Sequence, residues 1–217
     1  MTATETKLQN ILFGAGGHAR ALWGTIKACG LKIDGCIVLS EPSEEWQNRC
    51  PWLGDDSILK TMDTKKTKII NGLGSTSSTM NRRDRFNHAR TLGFDFLSLI
   101  HPSAIIADDI ELAAGIQIMP GSIIQPGVKV GANVLLNTGC VIEHDCKIYA
   151  HTHIAPGAVI SGGAVIEEGV HIGTGAVLIQ GVKIGKNTLV GAGTVVTEDV
   201  PANSRILGNP ARLIKFT

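Results

Sequence analysis

The sequence predicts a small α/β Rossmann-like unit over residues 1–99, followed by a parallel β-helix over residues 100–217. Two observations carry this prediction. From Ile100 to Val196 an aliphatic residue recurs at every sixth position without interruption. Glycine, asparagine or aspartate follows it by three positions in fourteen of the sixteen hexads, Ser103 and His151 being the exceptions. The composition changes near Ile100, where we place the domain boundary.

The first unit shows strands alternating with helices. We predict strands over 8–13, 33–39, 68–73 and 94–100, and helices over 19–29 and 79–92. On the second helix we expect one side to face the core, with Met80, Phe86 and Ala89, and we expect three arginines to be exposed: Arg82, Arg83 and Arg85. A strand, a glycine-rich turn, a helix and a further strand are typical of a small parallel sheet of Rossmann type.

The repeating hexad fits neither a 3.6-residue helix nor the alternation of a plain strand. It fits a prism in which each hexad makes one flat side and one corner, because glycine, asparagine and aspartate tolerate the positive φ of a corner. The fifth position is small or β-branched, as a narrow interior requires: Ala104, Ser122, Val134, Cys140, Thr152, Ala158, Ala176 and Thr194. Three hexads make one coil, so residues 18 apart stack about 4.8 Å apart, as in a parallel β-helix.

Composition narrows the function. The net charge of +1 does not favour a nucleic-acid partner, and no apolar stretch approaches a spanning helix. The N-terminus lacks the pattern of a signal peptide, and five cysteines without metal-like spacing fit a reducing compartment, so we expect a cytoplasmic protein. Cys140 and Cys146 share an interior phase of the hexad.

The glycine-rich turn over residues 14–17 follows the first strand and precedes a helix. Such a turn lets the backbone approach a phosphate at a helix N-terminus. The match to a dinucleotide fingerprint is partial, because Ala19 takes the third glycine position and Glu41 is the nearest acid after the second strand. Nucleotide binding and a purely structural turn both remain open, but Gly74 would lie at the same ligand-binding edge of the sheet.

Histidines supply the chemistry that the repeat does not require. His144 takes the third hexad position between Glu143 and Asp145, where it is either a general base or an ordinary surface histidine. Asp145 occupies the corner phase, so the fold alone explains it. His153 and His171 are 18 apart and should stack on one face. We expect no metal site, because these histidines lack the usual supporting pattern.

Four segments in chain order resemble one family. They are residues 14–18 (Gly-Ala-Gly-Gly-His), 136–146 with its Glu-His-Asp, 153–157 (His-Ile-Ala-Pro-Gly) and 208–211 (Gly-Asn-Pro-Ala). Together they are similar to the bacterial hexapeptide acyltransferases that include nucleotide-aminosugar N-acetyltransferases and sialic acid O-acetyltransferases. This resemblance implies a left-handed β-helix and a homotrimer with acetyl-CoA-dependent active sites between subunits.

The resemblance also implies roles for single residues. His144 matches the base that takes a proton from the acceptor, and Asp145 the acid that raises its basicity. His153 matches a contact to acetyl-CoA, the backbone of Gly162 faces the thioester carbonyl, and Thr174 and Ala192 line the path of CoA. The matches that hold the sugar substrate are Gly16, Gly17, His18, Gly74 and Asn137.

One departure leaves the substrate open. Family members acting on UDP-sugars often carry an Asp-Asp pair after the second strand, where this chain has Leu39, Ser40 and Glu41. We expect N-acetylation of a nucleotide-linked amino-deoxy sugar for surface glycans. The alternatives are O-acetylation of a sialic-acid-like sugar and a non-catalytic solenoid or nucleotide-binding protein. An acyl-enzyme on Cys146 conflicts with its interior phase.

Overall fold

A computed structural model describes residues 8–76 and 78–214. It contains a five-stranded parallel sheet followed by a left-handed parallel β-helix, as the sequence predicted. No helix in the described residues is long and apolar enough to cross a membrane.

The first unit has the bounds β1 Gln9–Phe13, α1 Gly17–Ala28, β2 Gly35–Ile37, α2 Glu44–Gln47, β3 Trp52–Gly54, a 3-10 helix Asp56–Thr61, β4 Thr67–Asn71, α3 Met80–Thr91 and β5 Asp95–Phe96. The strand order is β3-β2-β1-β4-β5 and every pairing is parallel. Because β1 and β4 are parallel neighbours, the loops that follow them lie side by side at the carboxyl edge.

The predicted strands and helices of this unit are confirmed, with two differences. Three short elements, α2, β3 and the 3-10 helix, were not predicted, since so few residues carry little periodicity. The segment 94–100 is not one strand: β5 closes the sheet, and Leu99–Ile100 already belongs to the β-helix.

Helix α3 buries Phe86 and Ala89 as predicted, but two residues of its first turn lie differently from the prediction. Met80 is 54% exposed, whereas Arg82 is only 1% exposed. The prediction for both residues was wrong, because the surface that this face of α3 meets is polar. The guanidinium of Arg82 donates to the backbone oxygens of Asn71 and Leu73 and to the Gln117 side chain.

The β-helix has three flat faces. Face 1 contains β6 Leu99–Ile100, β9 Gln117–Ile118, β12 Leu135–Leu136, β15 His153–Ile154, β18 His171–Ile172, β21 Leu189–Val190, β23 Arg205–Leu207 and β24 Arg212–Leu213. Face 2 contains β7 Ile105–Ile106, β10 Ile123–Ile124, β13 Val141–Ile142, β16 Val159–Ile160, β19 Val177–Leu178 and β22 Val195–Val196. Face 3 contains β8 Glu111–Leu112, β11 Lys129–Val130, β14 Lys147–Ile148, β17 Val165–Ile166 and β20 Lys183–Ile184.

The interior of the prism follows the hexad. From Ile118 to Val196 every sixth residue is at most 3% exposed, and Cys140 and Cys146 are fully buried beside them. Every sixth residue from Gly115 to Gly193 has a φ between 56° and 74°, which confirms the predicted corners over that stretch. His151 adopts the corner conformation despite being an exception to the pattern, with φ 62°.

The first unit packs on the outer surface of face 1. Leu99, Met119 and Leu135 form one buried cluster with Leu12 and Leu22 of the sheet and α1. On face 1, residues 18 apart in sequence pair in register. The outward-pointing first residues of five successive strands therefore stack in one column, residues 99, 117, 135, 153 and 171. The carboxyl edge of the small sheet therefore lies against this column.

Candidate active site

The corner between faces 2 and 3 carries an imidazole–carboxylate pair. His144 Nδ1 lies 2.8 Å from Asp145 Oδ2, and both side chains are exposed, by 55% and 72%. Asp145 forms the corner itself, with φ 61°. A carboxylate only accepts, so neutral His144 carries its proton on Nδ1 and keeps the lone pair on Nε2.

One coil further on, Gly162 stacks against the His144 ring. A methyl group at Gly162 would lie 2.5 Å from His144 Nε2, so only glycine leaves room for the imidazole. The Gly162 backbone N–H donates to no backbone or side-chain acceptor within residues 8–76 and 78–214, although its carbonyl accepts from Gly181. A potential base and a free backbone donor therefore stand side by side. We call residues 144, 145 and 162 the His144 corner.

The outward column of face 1 buries a second histidine. His153 is 5% exposed, and it is held by Ser75 Oγ at 2.6 Å from Nδ1 and by Asn137 Nδ2 at 3.1 Å from Nε2. Burial lowers the pKa of His153 to about 2, with further contributions from His171 and Arg82, so it is neutral at physiological pH.

The tautomer of His153 follows from its partners. Asn137 Oδ1 accepts the Thr138 backbone N–H at 2.8 Å, which leaves the amide nitrogen facing His153 Nε2. Nε2 must then accept, and Nδ1–H donates to Ser75 Oγ. His171 lies edge-on to His153, with ring centroids 4.8 Å apart, and its Nδ1 is 3.4 Å from the same hydroxyl. Ser75, Asn137, His153 and His171 form the face-1 cluster.

His18, the second residue of α1, adjoins this cluster. His18 Nε2 lies 2.8 Å from Gln117 Oε1, which also accepts from Arg82 at 3.2 Å. A methyl group at Gly74 would come within 2.9 Å of His18 Cβ, so the loop after β4 closely approaches the start of α1. The sequence-predicted residues His18, Gly74, Asn137 and His153 are thus brought together at one edge.

Gly16 and Gly17 line a neighbouring open cavity of about 620 Å³ with Glu41 and Trp46. Gly16 precedes α1 and provides no side-chain cap, so the N–H groups of the first turn have no side-chain acceptor from the cap residue. This arrangement suits a phosphate. Glu41 Oε1 accepts from Gln47 at 2.9 Å, so this acid already has a partner.

Thr174 and Ala192 lie apart from both the His144 corner and the face-1 cluster. They are exposed, lie on the corner between faces 1 and 2, and stack one coil apart. The chain therefore distributes the predicted residues over two different corners and the covered face 1. It does not bring the His144 corner to the face-1 cluster.

Sequence reasoning missed Ser75, Arg82 and Gln117. Gln117 carried a signal, since it occupies the same outward column as His153 and His171 and is a polar residue among leucines. Ser75 and Arg82 lie outside the repeat, and only the packing of the first unit on face 1 brings them there.

Comparisons with known proteins agree with this architecture. The family described as bacterial transferase hexapeptide (six repeats) matches residues 127–162 and 163–198. PerB from Caulobacter crescentus, solved in complex with CoA and GDP-perosamine, is 30% identical with a TM-score of 0.88, over 95% of this chain and 97% of that chain. The chain belongs to the hexapeptide-repeat family of nucleotide-sugar acetyltransferases.

Two further solved structures resemble the chain over nearly its whole length. The acetyltransferase domain of PglB from Neisseria gonorrhoeae, in complex with acetyl coenzyme A, is 29% identical with a TM-score of 0.86, over 96% of this chain and 100% of that chain. WeeI from Acinetobacter baumannii is 26% identical with a TM-score of 0.85, over the same shares. No curated protein matches in a sequence comparison.

The described residues contain no group of three or more histidine, cysteine, aspartate or glutamate side chains that could hold a metal ion.

Proposed function

We propose that the protein transfers an acetyl group from acetyl-CoA to the amino group of a nucleotide-linked amino-deoxy sugar. The observation that carries this proposal is the His144 corner, where an imidazole oriented by a carboxylate lies beside a free backbone N–H. The similarity to PerB, which was solved with CoA and GDP-perosamine, supports both the donor and the class of acceptor.

His144 acts as the general base. An alkylammonium group cannot attack a thioester, so the acceptor must lose a proton to a nearby lone pair. Asp145 binds Nδ1–H and stabilises the imidazolium that forms when Nε2 takes this proton. The nucleophile is the neutral amine, whose nitrogen then attacks the thioester carbon.

The Gly162 N–H stabilises the charge that this attack produces. The new C–N bond places negative charge on the carbonyl oxygen, and a fixed backbone donor lowers the barrier at that point. When the intermediate collapses, the C–S bond breaks and the CoA thiolate leaves with the proton held by His144. The imidazole, neutral again, takes the remaining surplus proton from the nitrogen of the former amine and passes it to solvent, so that a neutral amide results. The amide product and free CoA are then released.

No acyl-enzyme is required. Cys146, the nearest cysteine in sequence, is fully buried, and its Sγ–H donates to the Ser161 carbonyl at 3.3 Å. Burial raises the pKa of Cys146 to about 11, which disfavours the nucleophilic thiolate. We propose direct transfer within a complex that holds both substrates.

The nucleotide sugar occupies the carboxyl edge of the small sheet. The open first turn of α1 after Gly16 and Gly17 binds its phosphates, and His18, Gly74 and Asn137 contact the remainder. Acetyl-CoA extends past Thr174 and Ala192, with His153 near its reactive end.

The active site is shared between subunits of a homotrimer. One chain places His144 between faces 2 and 3 but His18 and His153 on face 1, so a second copy is needed to unite them. Apolar side chains on the uncovered faces suit such packing: Ile105, Tyr149, Val177 and Ile179 are each at least 37% exposed.

Thiol release tests the proposal. The protein is incubated with acetyl-CoA and a panel of UDP-, GDP-, dTDP- and CMP-linked sugars. Some sugars of the panel carry a free amino group and others do not. Release with an amino sugar and formation of its N-acetyl product is the expected result. His144→Ala should lower kcat by about 10² to 10⁴. His88→Ala removes an exposed histidine of α3 and serves as the matched control.

Different outcomes separate the alternatives. Release only with CMP-linked or free nonulosonic acids would favour O-acetylation of a sialic-acid-like sugar. Binding of a nucleotide sugar without any thiol release would favour a non-catalytic module. If His144→Ala released thiol at the unchanged rate, His144 would not be the general base, but the proposed acetyl transfer would still stand.

A further inference from the structure

Arg82 lies buried beneath the carboxyl edge of the small sheet, and the acetyl transfer described above assigns no role to its charge. Arg82 is 1% exposed, and its guanidinium makes three hydrogen bonds to neutral oxygens: the carbonyls of Asn71 and Leu73, at 3.0 and 2.6 Å, and Gln117 Oε1, at 3.2 Å. Burial lowers the pKa of Arg82 to about 9, so it still carries its charge at neutral pH. A buried charge is costly, which makes its neighbours informative.

The Gln117 amide can have only one orientation. Its Nε2 donates to the Asn71 carbonyl at 2.7 Å, and its Oε1 faces Arg82, which has donors only. Both ends are therefore assigned by partners whose roles cannot change. The atom that faces His18 Nε2 at 2.8 Å is the acceptor oxygen.

This orientation determines the protonation of His18. Its Nε2 must carry a hydrogen to donate to Gln117 Oε1, so in the neutral ring Nδ1 holds the lone pair. Burial and the nearby Arg82 charge lower the pKa of His18 to about 4. Arg82 of α3 and His153 of β15 are the titratable groups facing it, and His153 is itself neutral. On α1, Arg20 is exposed and paired with Glu45.

His18 Nδ1 makes no hydrogen bond within the described residues, and His18 is half-buried at the start of α1, directly after the glycine-rich loop. We propose that Arg82 and Gln117 are positioning residues that hold His18 as a neutral Nε2–H tautomer, whose Nδ1 accepts a hydrogen bond from an N–H or O–H group of the nucleotide sugar. This inference rests on the proposed function and adds a specificity element to it. A substrate lacking that donor would leave Nδ1 unpaired on binding.

Gln117→Glu tests the inference through its pH dependence. The carboxylate would accept from His18 Nε2–H and offset the Arg82 charge, so the pKa of His18 should rise. Below that pKa the imidazolium has no lone pair at Nδ1. KM for the nucleotide sugar should then rise about tenfold per pH unit below the new pKa, because the competent fraction falls by that factor. In the wild type this KM should stay flat between pH 6 and 8. The substitution should leave the pH profiles of kcat and of the KM for acetyl-CoA as they are in the wild type.

Two comparisons exclude a merely structural effect. Gln9→Glu makes the same substitution at the exposed start of β1, whereas the glycine-rich loop follows the other end of that strand. It should leave the pH profile of the KM unchanged. Gln117→Met removes the acceptor without adding charge and should raise KM at every pH. Imidazole ¹⁵N NMR of the wild type should show His18 protonated on Nε2 only, down to pH 5.

The failures are distinguishable. A wild-type His18 protonated on Nδ1, or a Gln117→Glu enzyme with a flat KM profile, would overturn this inference and leave acetyl transfer untouched. Loss of the proposed function would show instead as absence of thiol release by the wild type. Should Gln117→Glu fail to fold, the wild-type NMR tautomer and the Gln117→Met KM still decide the matter.

Discussion

Adding a single methyl group at Gly162 should displace the proposed base without unfolding the protein. The φ of Gly162 lies outside the left-handed region, so alanine brings no backbone strain there. The new Cβ would lie 2.5 Å from His144 Nε2, 2.7 Å from Cε1 and 3.0 Å from Cδ2. The backbone corner is fixed by its neighbours, whereas the exposed imidazole is free to move, so the ring is what shifts.

The distances set the size of the effect. Non-bonded carbon atoms are at ease near 3.5 Å, so the imidazole has to move by about 1 Å. A misplacement of about 1 Å in a reacting group can cost about 10²-fold in rate. Gly162→Ala should therefore lower kcat about a hundredfold.

Steady-state thiol release with acetyl-CoA and the best amino-sugar acceptor measures this effect, and thermal unfolding monitors the fold. Tm should remain within a few degrees of the wild type. Gly24→Ala provides the control, since Gly24 lies in α1 with nothing within 4 Å of an added methyl group. A Gly162→Ala enzyme with the wild-type kcat would refute the assignment of His144 as the base at this corner.

Three further predictions concern the same groups. Asp145→Asn should lower kcat by about ten- to a hundredfold with little loss of stability, because asparagine tolerates the φ of 61° but cannot stabilise an imidazolium as a carboxylate does; an unchanged kcat would contradict this. Cys146→Ala should keep kcat within about threefold and mass spectrometry should find no acetylated wild-type enzyme, since trapped acetyl on Cys146 would require a two-step path. The free energy of unfolding should fall as the pH is lowered. Burial lowers the folded pKa values of His18, His153 and His171 to about 4, 2 and 4, against 6.5 for the free group, so the unfolded chain binds more protons below pH 6.5. Each histidine should then lower the free energy of unfolding by about 1.4 kcal/mol per pH unit between pH 6.5 and its folded pKa. That contribution is fully present above pH 6.5, and a Tm that is constant from pH 7.5 to pH 5 would contradict it.

The β-helix could be predicted from the repeat because the residue types within each hexad indicate which positions are buried and which form the corner. An aliphatic residue must fill the interior and a residue tolerant of positive φ must form the corner, so Ile118 to Val196 could be assigned position by position. The same template isolated His144 as a residue that the fold does not need. Asp109 has the expected residue type but not the positive φ. It lies in the terminal coil, whose anchors Ile106 and Leu112 are only half-buried.

The packing of the first unit on face 1 was beyond the sequence. Helix α3 has three arginines within four residues, and nothing local distinguishes Arg82, which enters the interface, from Arg83 and Arg85, which do not become fully buried. Its burial depends on carbonyls of the loop after β4 and on Gln117 of a distant strand. Contacts between units so far apart in sequence leave no periodic signal.

In the proposed homotrimer, a working site needs the His144 corner of one subunit and the sheet edge with His18 of another. Mixing His144→Ala and His18→Ala chains, unfolding and refolding them together, and measuring acetyl transfer below the KM for the nucleotide sugar tests this directly. Each variant alone should be nearly inactive. An equal mixture should recover about a quarter of the wild-type rate, because one interface in four then pairs an intact corner with an intact edge. A mixture no more active than the two variants apart would contradict the shared site.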